Sequence, residues 1–235
     1  VEWLGNYFLD IKKHSVKLLA GYSYQYFTAS GFSASNEKFP SNVLTYNALG
    51  TGLWNLEKGI NNVGSYRNSS KLIAFFGRLN YDFDQKYYLS VSLRKEGSSK
   101  FGYDNKWGYF PAASAAWHLT QENFMKGVSW LNELKLRADY GETGNQDFGN
   151  YLSLDTYGSY GYYPFNGTSY QVWGPSQNTN YNLRWEKAIN FNAGLDFALL
   201  DNKISGSINY YVRTNKDLLG SYNVPNPPNI QGRTF

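Results

Sequence analysis

Between Ile189 and Leu199 every second residue is apolar. Ile189, Phe191, Ala193, Leu195, Phe197 and Leu199 share one side, and Asn190, Asn192, Gly194, Asp196 and Ala198 share the other. Successive side chains of a β-strand point to opposite faces, so this segment separates an apolar medium from a polar one. The apolar medium is either a protein core or a lipid bilayer, and most of the functional question turns on which.

The same alternation recurs along the chain. Seven further strands are expected, at Val1–Ile11, Val16–Tyr24, Ile73–Phe83, Tyr87–Arg94, Tyr109–His118, Leu134–Tyr140 and Ile204–Arg213. Pro111 is the weak point, because proline removes a ladder donor and marks a bulge or a strand start. Connections alternate in length. Lys12 to Ser15, Asp84 to Lys86 and Leu200 to Lys203 are tight, and Thr120 to Trp130 is a modest segment with room for a helical turn. The intervening connections are longer and rich in Gly, Ser, Asn and Tyr. If neighbours pair antiparallel, short turns gather at one end and long loops at the other, as in transmembrane barrels. A soluble β-sandwich has the same alternation of faces, so alternation alone leaves both architectures open.

Strand length and charge placement favour lipid. About 10 residues at roughly 3.3 Å each, tilted by about 45°, span near 24 Å, the height of a barrel's apolar band. Lys71, Lys95 and Lys187 have the apolar parity, and each falls at the long-loop end, where it can leave that band. Trp185 falls at the same end, and Trp117, Tyr87 and Phe197 at the turn end, a pattern resembling two aromatic girdles.

Composition excludes several classes. The 235 residues include no Cys and one Met, so a disulfide scaffold and Cys-ligated metals are ruled out. His14 and His118 are far apart and form no metal-ligand spacing. No apolar run approaches the roughly 18 residues of a spanning helix. The net charge of +4 is scattered along the strands, which reads as solvated charge and not as a nucleic-acid surface. The chain opens directly in strand-like sequence, without a charged-then-apolar leader, and is expected to be part of something longer.

Several stretches resemble the SusC/RagA family of TonB-dependent outer-membrane transporters. They are Ser92-Leu93-Arg94-Lys95-Glu96-Gly97-Ser98-Ser99-Lys100-Phe101-Gly102, Trp107-Gly108-Tyr109-Phe110-Pro111 and Ser114-Ala115-Ala116-Trp117. They continue with Leu134-Lys135-Leu136-Arg137-Ala138-Asp139-Tyr140-Gly141-Glu142-Thr143-Gly144-Asn145-Gln146, Leu183-Arg184-Trp185-Glu186, Gly194-Leu195-Asp196-Phe197 and Lys216-Asp217-Leu218-Leu219. Lys95-Glu96 stands where the family commonly has Arg-Asp, a charge-conserving departure. The likeness covers roughly Gly77 to Leu219 in order, and residues 1–70 fit by pattern alone.

The resemblance implies an all-β fold: an antiparallel meander of about eight strands, part of a large plugged transmembrane β-barrel that is incomplete in this chain. Residues 1–235 would be barrel, with the plug domain, TonB box and signal peptide outside it. Phe235, preceded by Pro225, Pro227 and Pro228, is not expected to be the terminal aromatic of such a barrel. Alone, such a chain would expose its edges and lipid face and is expected to aggregate. The family imports oligosaccharides, or in some members peptides, with a SusD-like surface lipoprotein as lid and energy supplied through TonB. Outer-membrane lipid is then a further partner, and the bacterial outer membrane the location.

No catalytic constellation, cofactor motif or metal set is present. Gly141-Glu142-Thr143-Gly144-Asn145 lacks the lysine and following helix of a phosphate loop and reads as a strand exit. Asn68-Ser69-Ser70 and Asn166-Gly167-Thr168 match the N-glycosylation pattern by accident, and Asp82 with Asp84 reads as an alternating strand end. Arg78, Arg94, Glu96, His118, Lys135, Arg137, Asp139, Arg184, Glu186, Asn190, Asn192 and Asp196 would line the lumen, mainly as a charge ladder facing the plug. The loop from Gly158 to Pro175 carries Tyr160, Tyr162, Tyr163, Phe165, Tyr170 and Trp173. These aromatics could stack on sugars, pack against the lid lipoprotein, or pack on neighbouring loops. Two other readings stay open at this point: a secreted all-β carbohydrate-binding or adhesive module, and a passive porin.

Overall fold

The computed structural model describes residues 1–43, 45–59 and 62–234, so Phe235 lies outside the described residues. Its main sheet holds eight antiparallel strands. They are β1 (Glu2–Ile11), β2 (His14–Ala34), β3 (Val63–Phe83), β4 (Tyr87–Ser98), β5 (Trp107–His118), β6 (Leu131–Asn145), β9 (Glu186–Leu199) and β10 (Ile204–Lys216). Their order follows the sequence, β1-β2-β3-β4-β5-β6-β9-β10, so the sheet is an open meander with β1 and β10 at its edges. Two small sheets complete the architecture: a hairpin of β7 (Tyr157–Phe165) with β8 (Thr168–Pro175), and β11 (Tyr222–Asn223) with β12 (Arg233–Thr234).

The tight connections have the chemistry their length demands. Lys12, Asp84, Gln85, Leu200, Asp201 and Asn202 all have positive φ, the conformation whose twist matches that of the flanking strands. Between β5 and β6 lie two short 3-10 turns, Leu119–Gln121 and Asn123–Met125.

The structure corrects the sequence reading in three places. First, β2 and β3 are each 21 residues long, about twice the expected length. Their extensions are polar and aromatic without strict alternation, which hides a strand from a pattern test. Second, Gly158 to Pro175 is not an irregular loop but the β7–β8 hairpin. Third, Trp185 is buried and belongs to no boundary row.

The chain divides into two compact units, Tyr26–Ser70 and the remainder. The smaller takes residues from β2 and β3 and includes the helix α1 (Trp54–Lys58). Within it the Asn36 amide donates to the carbonyls of Leu49 (3.0 Å) and Gly52 (2.7 Å), and the Lys38 and Lys58 ammonium groups lie 5.2 and 5.0 Å from the Trp54 ring centroid. All features below belong to the larger unit.

Candidate functional site

Register sorts the main sheet into two chemically distinct faces. One cross-strand row reads Tyr81, Leu89, Ala115, Ala138, Ala193 and Tyr210. The neighbouring row, on the opposite face, reads Asn80, Ser90, Ser114, Asp139, Asn192 and Tyr211. Exposure runs opposite to that of a soluble sheet. On β4 the apolar Leu89, Val91 and Leu93 are 42%, 44% and 50% exposed, while Tyr88, Ser90, Ser92 and Arg94 are half-buried. A soluble sandwich would cover the apolar side.

Aromatic rings form two rows on the apolar face. At the turn end His14 meets Phe83 (4.8 Å between centroids), Phe83 meets Tyr87 (6.2 Å), and Tyr87 meets Trp117 (6.2 Å). At the long-loop end Tyr22 meets Phe75 (5.2 Å), and Phe75 meets Trp107 (6.4 Å). Trp107 therefore holds the place expected of Trp185. From Trp107 to Trp117 is about 33 Å along the strand, or about 24 Å along the axis of a barrel whose strands tilt by about 45°. Charge on the described strands of the apolar face in the larger unit gathers toward the long-loop end: Lys95 is opposite Phe75 and Tyr109, Lys187 opposite Lys216 and Glu142 opposite Ile189, with Lys71 beyond Ile73 on β3, and from there to the turn-end row the face is uncharged. The Lys95 ammonium lies 5.0 Å from the Trp107 ring and 5.3 Å from that of Tyr109, a cation–π position that keeps its charge at the boundary.

At the turn end Glu122 accepts hydrogen bonds from the Tyr87 hydroxyl and from the Trp117 indole N–H (3.2 Å), and pairs with Lys86 (3.3 Å). These donors, Tyr87 first, hold its carboxyl below the usual range. The short connection is thereby tied to the aromatic row.

The polar face is internally paired. Arg137 makes a two-pronged contact with Asp196 (3.0 and 3.2 Å), and Asn192 donates to Asp139 at 2.9 Å. Arg94 binds Glu96 through two bonds of 2.9 Å, with its guanidinium 5.3 Å from the Phe76 ring. Lys135 lies over Tyr88 at 5.3 Å. Arg78 is opposite Ser92, and Asn190 lies between Gly141 and Arg213 in register. Glu186 accepts from Asn145 (3.0 Å), His118 is half-buried at the end of β5, and Arg184 is exposed just before β9. The sequence reading missed Leu4 and Phe8, apolar and exposed on this face of β1. Their even parity, opposite to Trp3 and Tyr7, was the available signal.

The long loops meet in a packed cluster. Phe101, Phe110, Phe148, Leu183 and Trp185 are buried together, with Leu72, Leu152 and Leu219 against them. Phe101 is 1% exposed and lies 4.5 Å from Trp185 between ring centroids. The Trp185 indole donates to the Lys106 carbonyl (3.0 Å), and the Lys100 ammonium to that of Phe148 (2.8 Å). Burial of an indole that still finds a partner for its N–H is the favourable arrangement for tryptophan.

The β7–β8 hairpin lies in the chain between Leu152 and Leu183 of this cluster. Asn166 and Gly167 both have positive φ and form its two-residue turn. An Asn-Gly pair between two aromatic-rich runs is a strong hairpin signal, read in the sequence only as a glycosylation pattern. Tyr163 is opposite Tyr170 on one face with Phe165, and Tyr162 and Trp173 lie on the other. Tyr160 occupies the register shift and donates its hydroxyl to the Pro175 carbonyl. All six aromatics are more than half exposed. From Tyr157 to Leu183 there is no charged residue.

The model of the TonB dependent receptor-like, beta-barrel family matches residues 2–235. The chain belongs to the TonB-dependent receptor β-barrel family, and within it is of the SusC/RagA type. It is 42% identical over 165 residues to TonB-dependent receptor SusC of Bacteroides thetaiotaomicron, an alignment covering 68% of this chain and 16% of that protein. A TonB-dependent receptor of Formosa agariphila is 35% identical over 220 residues, 92% of this chain and 20% of that protein. The structure of the RagAB peptide transporter superposes with a TM-score of 0.84 at 28% identity, over 97% of this chain and 24% of that one. The chain thus spans about a fifth of the length of the curated relatives it matches.

The family match includes residues 1–70, which the sequence reading joined to the family by pattern alone. In this TonB-dependent receptor barrel the end of the Ser92 to Gly102 stretch, Ser98 to Gly102, is structural. It carries the buried Phe101, and Gly102 donates its N–H to the Leu183 carbonyl at 3.0 Å. A Cβ on Gly102 would stand 1.8 Å from the Tyr181 carbonyl oxygen, so only glycine fits. The motif locks the β4–β5 connection onto the segment before β9.

Proposed function

We propose that this TonB-dependent receptor region is wall of an outer-membrane importer of oligosaccharides or peptides. It would work with a SusD-like lipoprotein lid and be energised through TonB. The observation that carries this reading is the exposed apolar face bounded by two aromatic rows about 24 Å apart, with its charges gathered toward the long-loop end. The family resides in the outer membrane and comprises receptors and transporters, which supports a conduit and binding surface over catalysis. Residues 1–235 act as barrel, and plug, TonB box and signal peptide belong to the rest of the protein. Arg78, Arg94, Arg137, Asp139, Asn190, Asn192 and Asp196 line the lumen, and Tyr160, Tyr162, Tyr163, Phe165, Tyr170 and Trp173 meet cargo or lid.

The test uses the full-length receptor in its host. Deleting its gene should abolish growth on one glycan or peptide source, and removing TonB should do the same. Replacing Tyr162 and Trp173 by Ala should weaken uptake without lowering the receptor's level in the membrane. Recovery of the receptor in the soluble fraction without detergent would refute the wall reading, and uptake that persists without TonB would indicate a passive pore.

A further inference from the structure

We propose that the long-loop end of the apolar face binds the phosphate group of an anionic lipid, held mainly by Lys187 and Lys216. This inference rests on the membrane-wall reading above.

Lys187 on β9 and Lys216 on β10 are direct cross-strand partners. Like charges placed opposite one another destabilise a sheet unless an anion lies between them. One carboxylate is at hand. Glu142 pairs with Lys187 at 3.3 Å, and its other oxygen accepts the Tyr140 hydroxyl at 2.7 Å. Two ammonium groups on neighbouring strands therefore meet one carboxylate, and Lys216 is exposed. Lys71 and Lys95 add to the same rim. In the larger unit the described strand residues of this face carry four lysines and one carboxylate toward the long-loop end, a net charge of three.

The turn end differs. There Lys13 pairs with Asp84 at 2.7 Å, and Lys86 lies 3.9 Å from Asp84 and 3.3 Å from Glu122. Among the described strand residues of the apolar face, lysines occur only toward the long-loop end. The occupant follows from what surrounds it. Phe191 on β9 and Val212 on β10 lie on the same face below the two lysines and are exposed, so a ligand with an acyl chain can cover them while its phosphate meets the ammonium groups. A phosphate offers several acceptor oxygens and bridges two lysines that no single side chain satisfies. The long lysine stems can carry their charge up to such a headgroup.

The test uses full-length receptor in nanodiscs of phosphatidylcholine containing a minor share of phosphatidic acid. Lipid that stays bound after transfer to detergent is counted by native mass spectrometry. Wild-type receptor should retain phosphatidic acid, K216Q should retain about fivefold less, and K216R should restore it. Lys216→Gln leaves the Lys187–Glu142 pair intact, and a heat-shift gel confirms that the barrel is folded. Equal retention by wild type and K216Q would overturn the proposal, as would equal thermal protection of detergent-solubilised receptor by inorganic phosphate. Receptor that fails to enter the bilayer would overturn the wall reading too, whereas insertion without lipid preference overturns this proposal alone.

Discussion

Arg137 on β6 hydrogen-bonds Asn209 on β10 at 2.5 Å, although β9 lies between their strands. The residue between them in register is Gly194. A Cβ there would lie 2.8 Å from the guanidinium carbon of Arg137 and 2.8 Å from the Asn209 side-chain oxygen. The absent side chain is the channel through which the arginine crosses a whole strand. Three strands are thereby tied by one guanidinium, since Arg137 also grips Asp196. Gly194→Ala should displace Arg137 and cost about 1–3 kcal/mol. In an Arg137→Ala background the same substitution should cost clearly less, because the two sites are coupled. Denaturant unfolding of the full-length receptor in lipid vesicles measures both, and additive losses would refute the coupling.

Gly102 is under a harder constraint, because its neighbour is backbone. Gly102→Ala should open the long-loop cluster, and Phe101→Ala should remove its most buried ring at a cost of about 3–5 kcal/mol. Both should speed hydrogen exchange in 98–106 and 180–186 while the strands at the turn end stay protected. Unchanged exchange in those segments would show that the cluster does not hold the loops.

The two faces of β4 should respond oppositely to charge. Val91 lies midway between the aromatic rows on the apolar face, and Val91→Lys should cost about 2–4 kcal/mol of folding stability in a bilayer. Ser90→Lys, one residue away on the polar face, should cost much less. Equal costs in vesicle refolding would place the lipid boundary elsewhere.

Asp155 offers a pH readout outside the strands. Its carboxylate accepts the Tyr181 hydroxyl at 2.7 Å and the Thr179 hydroxyl at 2.8 Å. Tyr181 first, then Thr179, hold Asp155 below its usual value, and the Asp155 contact raises that of Tyr181. A depressed carboxyl stabilises above its unfolded value and loses that effect as pH falls through the lower folded value. A raised phenol stabilises below its unfolded value and loses that effect as pH rises through the higher folded one. The difference in melting temperature between wild type and Asp155→Asn should therefore be flat from about pH 5 to 9 and shrink outside that range. A gap that changes within it would show that another group governs this segment.

Much of this was legible along the chain, for local reasons. Alternation such as Leu89, Val91 and Leu93 against Ser90 and Ser92 assigns each side chain to a face, whatever the strand pairs with. Turns such as Asp84-Gln85 are equally local. Trp185 was misread because its parity continues that of β9. A residue one position outside a strand is placed by the loops that fold over it, here those carrying Phe101 and Phe148. The β7–β8 hairpin was hidden by aromatic residues on both faces, which leave no alternation to read.

The sequence by itself determined the class of fold, the two faces of the wall and the family. Those follow from a period of two and from short ordered motifs, both of which are local. Only the tertiary structure decided that Trp107 and not Trp185 marks the boundary, that Arg137 reaches Asn209 over Gly194, and that Lys187 faces Lys216. Each depends on which residues stand opposite one another across strands far apart in the chain, and register between strands is settled by the packing of the whole sheet.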